Sequence, residues 1–235
     1  MLFVDFSSAY NTLKRHIMVN KLKDMNVHCD IIALILDFVT YRKQYVNVNG
    51  TKSSCLTTNT GAPQGRVLSP ILFTLYTSDC TINHSDQRLI KFADDSSIIG
   101  LITEDEEAYR KSIDTFVTWC DEHYLLLNVK KTKELIFDFR RMKDPLQPIC
   151  IKNEEVEVVS TYKYLGVTID DQLSWIDHTN QVRCKVNKRL YFLRLLNNFH
   201  VEERLMALFY KSTIESMVLF PSQAGVEMQG RGTLT

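Results

Sequence analysis

The stretch RLIKFADDSSIIGL, residues 88–101, sets two aspartates side by side inside an apolar run. Leu89, Ile90, Phe92 and Ala93 precede the pair, and Ile98, Ile99 and Leu101 follow it, which suits a buried strand on either side. Adjacent carboxylates repel, and burying either one unpaired is costly. The fold must therefore bring Asp94 and Asp95 to an edge or supply them with a partner. Strand, two-residue turn at the aspartates, strand is the simplest geometry, and a type I′ turn would accept Asp at positive φ. An aspartic-protease dyad would need Asp-Thr/Ser-Gly loops, and a calcium loop would need a D-x-D-x-D-G run with a distal Glu. Neither is present. A third carboxylate, Asp5, ends the short apolar run LFVD. A strand there, lying beside the hairpin, would gather three carboxylates at one sheet edge, a cluster matched to two Mg²⁺ ions.

Lys plus Arg and Asp plus Glu are 28 each, so no global basic field advertises nucleic-acid binding and any such surface must be local. The six cysteines are scattered, with no C-x-x-C and no paired His, which argues for free thiols rather than a zinc site or a disulfide framework. The histidines are spread singly and read as surface or packing residues; Trp119 and Trp175 read as a core and a turn anchor. There is no basic-then-apolar leader and no apolar run of membrane-spanning length. The expectation is an intracellular chain, nuclear or cytoplasmic, with no membrane partner.

Along the chain, Leu13, Ile17, Met18, Leu22 and Met25 recur at helical spacing, and Asp30 is placed as N-cap for the apolar helix IIALILDFV. Asn49-Gly50 marks a hairpin. Ser69-Pro70 offers a cap and first position for the helix ILFTLYTSDC. Acid at 104–107 opens a helix with Ile113, Phe116, Val117, Cys120 and Tyr124 inward. Leu135, Phe137 and Phe139 alternate as a strand, a weak hairpin surrounds Asn153, and YKYLGVTI supplies a further strand. From Asp177 onward Val182, Val186, Leu190, Leu193 and Leu196 recur as a helical face. Strands interleaved with helices, then a helical end, imply an α+β core with an α appendage.

With these features in view, VDFSSAYNTL, GAPQGRVLSPILFTLYTSD, FADD, LLLNVKKTKEL and YKYLGVTID resemble, in order, five motifs of the reverse transcriptases of non-LTR (LINE-type) retrotransposons. The resemblance runs from residue 1 to about 216. It implies a right-hand polymerase palm, an antiparallel sheet packed on helices, followed by a mostly helical thumb. It assigns Asp5, Asp94 and Asp95 as the metal-binding and catalytic carboxylates, with Mg²⁺ as cofactor and Mn²⁺ as a substitute. Asp5 and Asp94 would bridge both ions, with Asp95 a ligand or an electrostatic support. Pro63, Gln64 and Gly65 match the loop that touches the incoming nucleotide and template, with Gly61 and Gly65 allowing close backbone approach; Arg66 replaces the expected Ser. Tyr10 matches the aromatic that packs under the sugar and excludes a 2′-hydroxyl. Lys131, with Lys130 the nearest alternative, matches a lysine that assists pyrophosphate departure. Leu165 and Gly166 match the primer-grip turn. Arg183, Lys185, Lys188, Arg189 and Arg194 lie on the thumb helix, as a phosphate-tracking surface or a solvated face.

These resemblances divide the chain into a palm at 1–169 without its fingers, a thumb-like segment at 170–216, and a divergent tail at 217–235. The implied function is that of an RNA-directed DNA polymerase fragment, which extends a DNA primer on an RNA template from deoxynucleoside triphosphates. The alternative is an inactive retrotransposon remnant that at most binds nucleic acid. Four residues before Asp5 leave no room for fingers, so weak or absent polymerase activity is expected of the chain alone.

Overall fold

The computed structural model describes residues 1–102, 106–140 and 146–219. They divide into two compact units, one within Met1–Ile136 and Arg141–Val159, the other within Phe137–Arg140 and Ser160–Thr235.

The first unit is built on a five-stranded sheet: β1 (Leu2–Val4), β2 (Gln87–Phe92), β3 (Asp95–Gly100), β4 (Lys133–Glu134) and β5 (Glu157–Val158), in the order β5-β4-β1-β3-β2. Four strands run antiparallel and β5 joins the edge in parallel. Leu2 lies opposite Ile98, and Val4 opposite Ser96. Side chains alternate across a pleated sheet, and this register turns Leu2, Val4 and Ile98 into the core. They pack there with Met18 and Leu22 of helix Arg15–Asp24, Leu72, Phe73 and Tyr76 of helix Leu68–Tyr76, and Ile113, Phe116 and Cys120 of helix Glu106–Glu122. Lys21, only 8% exposed, donates from Nζ to the Tyr76 carbonyl and pairs with Asp79, so its buried charge has a counter-ion. The α+β architecture of strands backed by helices is the one expected.

Several local expectations are corrected. Phe92 pairs with Asp95, so the two central turn residues are Ala93 and Asp94, not the two aspartates. Ala93 takes the positive φ, 52°, and Asp95 is already the first residue of β3. Helix Cys29–Val39 is capped by His28, whose ring accepts from the Asp30 N–H, which leaves Asp30 inside the first turn. Helix Leu68–Tyr76 starts before Ser69, whose hydroxyl donates to the Pro63 carbonyl instead of capping. Beyond strand Lys133–Glu134, Leu135 still exchanges backbone hydrogen bonds with Met1, the first residue of the chain, and among the described residues no strand runs through Phe137 and Phe139. Tyr124 lies beyond the helix end at φ 57° and is exposed. The Asn49-Gly50 and Lys152-Asn153 turns close hairpins as expected. Glu104 and Asp105, and 220–235 of the tail, fall outside the described residues.

In the second unit, strands Thr161–Tyr164 and Val167–Asp170 form a hairpin that packs on helix Ile176–Asn198. The Thr168 N–H donates to His178 Nδ1 (3.1 Å), and the Thr168 hydroxyl donates to Gln181 Oε1 (3.1 Å). Asp170 accepts from the backbone N–H groups of Gln172, Ser174 and Trp175 and from the Ser174 hydroxyl. These bonds hold its carboxyl below the usual carboxylate range. They also tie the Thr161–Asp170 hairpin to the helix within one compact unit, which takes in Ser160–Thr235.

The same contacts make this unit acid-sensitive. Nδ1 of His178 must stay unprotonated to accept from Thr168, and burial, then the Lys185 charge, lower its pKa below 6.5. The unfolded chain takes up the proton more readily, so this contribution is complete above about pH 6.5 and is lost as pH falls through the folded value. Urea melts should show less stability at pH 5 than at pH 7.5, and His178→Gln should flatten that difference. An unchanged pH dependence in the variant would remove His178 as its source.

Candidate active site

Asp5 follows β1 directly, one step beyond the Val4–Ser96 pair. Continuing the register sets it across from Asp95, while Asp94 sits in the turn beside them. Partial desolvation, then the charges of Asp94 and Asp5, push the Asp95 carboxyl above its ordinary range. Three residues that the sequence separates by about ninety positions therefore share one electrostatic field. None of the three makes an ion pair among the described residues.

Their oxygens do not all lie within 4.8 Å of one another, a closeness that only His28, Cys29 and Asp30 reach among the described residues. Those three are exposed sequence neighbours joined by the cap at His28. An uncompensated set of three carboxylates, with oxygens only, fits hard divalent cations such as Mg²⁺.

The backbone around Asp5 is pinned on both sides. Its carbonyl accepts from the Asn128 N–H (2.9 Å), and its own N–H donates to Thr132 Oγ1 (3.3 Å). Phe6 bridges Leu127, and the Ser7 N–H donates to the Leu126 carbonyl. The segment LLLNVKKT thus runs beside Asp5 and presents Lys130 and Lys131 exposed. Asn128 and Thr132, which lock this turn through the Thr132 hydroxyl and the Asn128 carbonyl (2.9 Å), escaped the sequence reading. The N-x-x-x-T spacing was their only signal.

Tyr10 belongs with the carboxylates. Its hydroxyl donates to Asp94 Oδ1 (3.2 Å), and its ring packs on Phe73 with centroids 5.5 Å apart. Burial, then the Asp94 charge and hydrogen bond, push the phenol up to about 12, so it remains a donor at neutral pH. The GAPQG loop reaches the same place: the Gly61 N–H donates to the Leu13 carbonyl and the Ala62 N–H to the Tyr10 carbonyl (2.7 Å). Gly61 has φ +72°, and a Cβ there would lie 2.5 Å from the Tyr10 oxygen and 2.6 Å from the Asn11 Cα. The absent side chain lets this loop approach the protein's own backbone. Gly65, at φ +76°, has nothing within 4 Å of such an atom, and Gln64, Gly65 and Arg66 are exposed beside the site.

The remaining site residues lie in the second unit. Leu165 (φ 47°) and Gly166 (φ 88°) form the tip of the Thr161–Asp170 hairpin. The basic residues of helix Ile176–Asn198 do not form one stripe. At about 100° per residue, Arg183 and Arg194 flank one side of the half-buried Val182, Val186, Leu190 and Leu193, and Lys185 and Arg189 the other. Lys188 points furthest from that apolar face, and Arg189 donates to the Thr213 carbonyl (2.5 Å).

Comparison with known proteins gives a consistent answer. The profile of the family "Reverse transcriptase (RNA-dependent DNA polymerase)" matches residues 1–169. A second profile, the N-terminal region of alkylated DNA repair protein alkB homolog 8, matches residues 175–216. The chain is 24% identical over 207 residues to the probable RNA-directed DNA polymerase from transposon BS of Drosophila melanogaster, covering 84% of this chain and 23% of that protein. It is 24% identical over 191 residues to the RNA-directed DNA polymerase from mobile element jockey of the same species, covering 77% of this chain and 20% of that protein. It thus spans about a quarter of the length of the curated relatives it matches. Among solved structures, telomerase from Candida tropicalis in complex with a TWJ fragment of telomeric RNA aligns with TM-score 0.51 at 12% identity, over 97% of this chain and 39% of that one, a likeness of fold. Ordered motifs, the meeting of Asp5 with Asp94 and Asp95, and the match over residues 1–169 carry one conclusion: this chain belongs to the reverse transcriptase family.

Proposed function

We propose that this chain forms the palm and part of the thumb of an RNA-directed DNA polymerase that extends a DNA primer on an RNA template. The observation that supports this best is the gathering of Asp5, Asp94 and Asp95 at one sheet edge, with Tyr10 bonded to Asp94 and the GAPQG loop held against Tyr10. Asp5 and Asp94 would hold two divalent ions, Mg²⁺ or Mn²⁺, with Asp95 supporting their charge. Bound there, such ions would lower the pKa of a primer 3′-hydroxyl and neutralise charge developing on the triphosphate.

The chain's own residues supply positioning. The Tyr10 ring, fixed by Phe73, limits the space beside the carboxylates and so disfavours a ribose 2′-hydroxyl. Gln64 and the Gly65 backbone offer hydrogen bonds to a nucleotide, and Lys131 or Lys130 offers a cation to the departing pyrophosphate. Leu165 and Gly166 would guide the primer end, and the exposed Arg183, Lys185, Lys188 and Arg194 would grip phosphates, with Arg189 partly committed to Thr213. The domain reading is a palm through residue 169 and a thumb from 170 to 216. No described helix is long and apolar enough to cross a membrane.

The test is primer extension on an RNA template with Mg²⁺ and four deoxynucleotides, beside calorimetric metal titration of the wild type and Asp94→Asn. Extension and metal binding that both depend on Asp94 support the reading; metal affinity indifferent to Asp94 overturns it. A sharper expectation concerns sugar choice. With fingers from a related element restored, Tyr10→Val opens space beside Asp94, so ribonucleotide incorporation relative to deoxyribonucleotide should rise at least about tenfold, the effect of relieving about 1.4 kcal/mol of steric discrimination. Unchanged discrimination in single-nucleotide extension would make Tyr10 a packing residue only.

A further inference from the structure

Residues 28–30 read His-Cys-Asp: an imidazole, a thiol and a carboxylate, three different metal-ligating groups in succession. All three side chains are exposed, and the polymerase site uses none of them. Successive side chains on a helix fan out at about 100° per residue, so three in a row do not ordinarily converge. Here they do, because His28 is the cap of helix Cys29–Val39, extended at φ −60° and ψ 141°, and only Cys29 and Asp30 are helical. The Cys29 Sγ lies 4.0 Å from His28 Nδ1 and 3.8 Å from Asp30 Oδ1, and Nδ1 lies 3.3 Å from Asp30 Oδ2. Among the described residues no other trio of His, Cys, Asp or Glu brings one ligand atom from each within 4.8 Å of the rest.

That spacing is what a tetrahedral ion asks for. Zn²⁺ sits about 2.3 Å from a thiolate and about 2.0–2.2 Å from an imidazole nitrogen or carboxylate oxygen, which sets neighbouring ligand atoms about 3.3–3.6 Å apart. The three groups need to close by only a few tenths of an ångström. Little is given up, because Nδ1 accepts only a long hydrogen bond, 3.4 Å, from the Asp30 N–H, and Cys29 is a free thiol. The frame behind them is fixed: the His28 carbonyl accepts from the N–H groups of Ile31 and Ile32, the Val27 N–H donates to the Leu22 carbonyl, and Ile32, Ile35 and Val39 anchor the helix in the core. A helix N-terminus by itself favours an anion, but a thiolate and a carboxylate together neutralise a divalent ion, so the helix end opposes it little. The ligands also select the metal. A thiolate with an imidazole suits Zn²⁺, whereas Mg²⁺ prefers oxygen alone.

We propose that His28, Cys29 and Asp30 form a Zn²⁺ site through Nδ1, Sγ and one carboxylate oxygen, with water in the fourth position. One ion binds per chain and fastens the first turn of helix Cys29–Val39. The site stands apart from the polymerase reading, since it uses none of the residues that reading assigns.

Co²⁺ is the probe, because a Co²⁺–thiolate bond gives an intense near-ultraviolet charge-transfer band that oxygen ligands do not. Titrated in excess Mg²⁺, the whole chain should develop this band with one Co²⁺ per chain, and added Zn²⁺ should displace the ion and abolish it. Cys29→Ser should remove the band. His28→Gln and Asp30→Asn should each weaken Co²⁺ affinity at least about tenfold, since even partners that only orient a ligand are worth about 10–100-fold. Cys55→Ser, at another exposed cysteine, should change nothing. No band in the wild type, a band that survives Cys29→Ser, or wild-type affinity in both His28→Gln and Asp30→Asn overturns the proposal, as does one ion shared between two chains. Asp94→Asn keeps the two readings separate: it should leave the thiolate band untouched, whether or not the carboxylate edge binds metal, and a band lost in that variant overturns the site at His28.

Discussion

With fingers from a related element joined to this chain, Asp94→Asn should reduce extension of a DNA primer on RNA at least about a thousandfold, equivalent to about 4 kcal/mol of barrier. The substitution keeps the shape of an exposed turn residue and deletes one of three charges at the sheet edge. Phosphoryl transfer depends on positioning and on charge neutralisation rather than on covalent help from the protein, so one missing carboxylate removes much of what the site provides. The fold should not suffer. Asp95 is pushed up in part by Asp94, and removing that neighbour relieves repulsion, so the melting temperature in metal-free buffer should hold or rise slightly. Divalent-metal affinity should fall about tenfold or more by calorimetry. A stable variant with wild-type metal affinity and extension would show that the three carboxylates are not a metal cradle.

The second large effect is structural. Gly61→Ala should destabilise the first unit by roughly 2–5 kcal/mol, combining the cost of an alanine at positive φ with overpacking. The added methyl would stand 2.5 Å from the Tyr10 carbonyl oxygen, where backbone rather than a flexible side chain must yield. Gly65→Ala has a similar φ and open space around it, so its cost should be only about 1–2 kcal/mol. Chemical denaturation of the pair separates the steric component from the conformational one. Equal losses would mean that the approach of the GAPQG loop to Tyr10 is not what Gly61 secures.

Both expectations concern residues whose type was visible in the sequence, but only one reason was. The edge position of Asp94 and Asp95 follows from their conflict with apolar flanks, and their partnership with Asp5 from the short strand LFVD. Gly61 looked like a concession to a ligand, because a sequence does not say which backbone lies opposite a glycine. The caps misled for a related reason. Asp30 and Ser69 are good capping residues, yet His28 and the Pro63 carbonyl offered competing hydrogen bonds one or more residues away. The turn moved by one residue because sheet register, fixed by burial of Leu2, Val4 and Ile98, outweighed the preference of Asp over Ala for positive φ. The basic helix is a similar case: composition suggested one charged face, and helical geometry spreads the residues to both flanks of its apolar side.

The register of β1 also governs which insertions and deletions the gene can tolerate. Side chains along a strand alternate between faces, and a shift of one residue exchanges them. One codon gained between Leu2 and Asp5 would either turn the carboxylate to the core face or turn Leu2 out of the core. The hairpin opposite has the same restriction, since Phe92 and Asp95 are separated by only two residues. Residues 43–57 touch no core and tolerate added length far more readily. Related chains should therefore differ in length across residues 43–57, while the spacing from β1 to Asp5 and from β2 to β3 stays fixed.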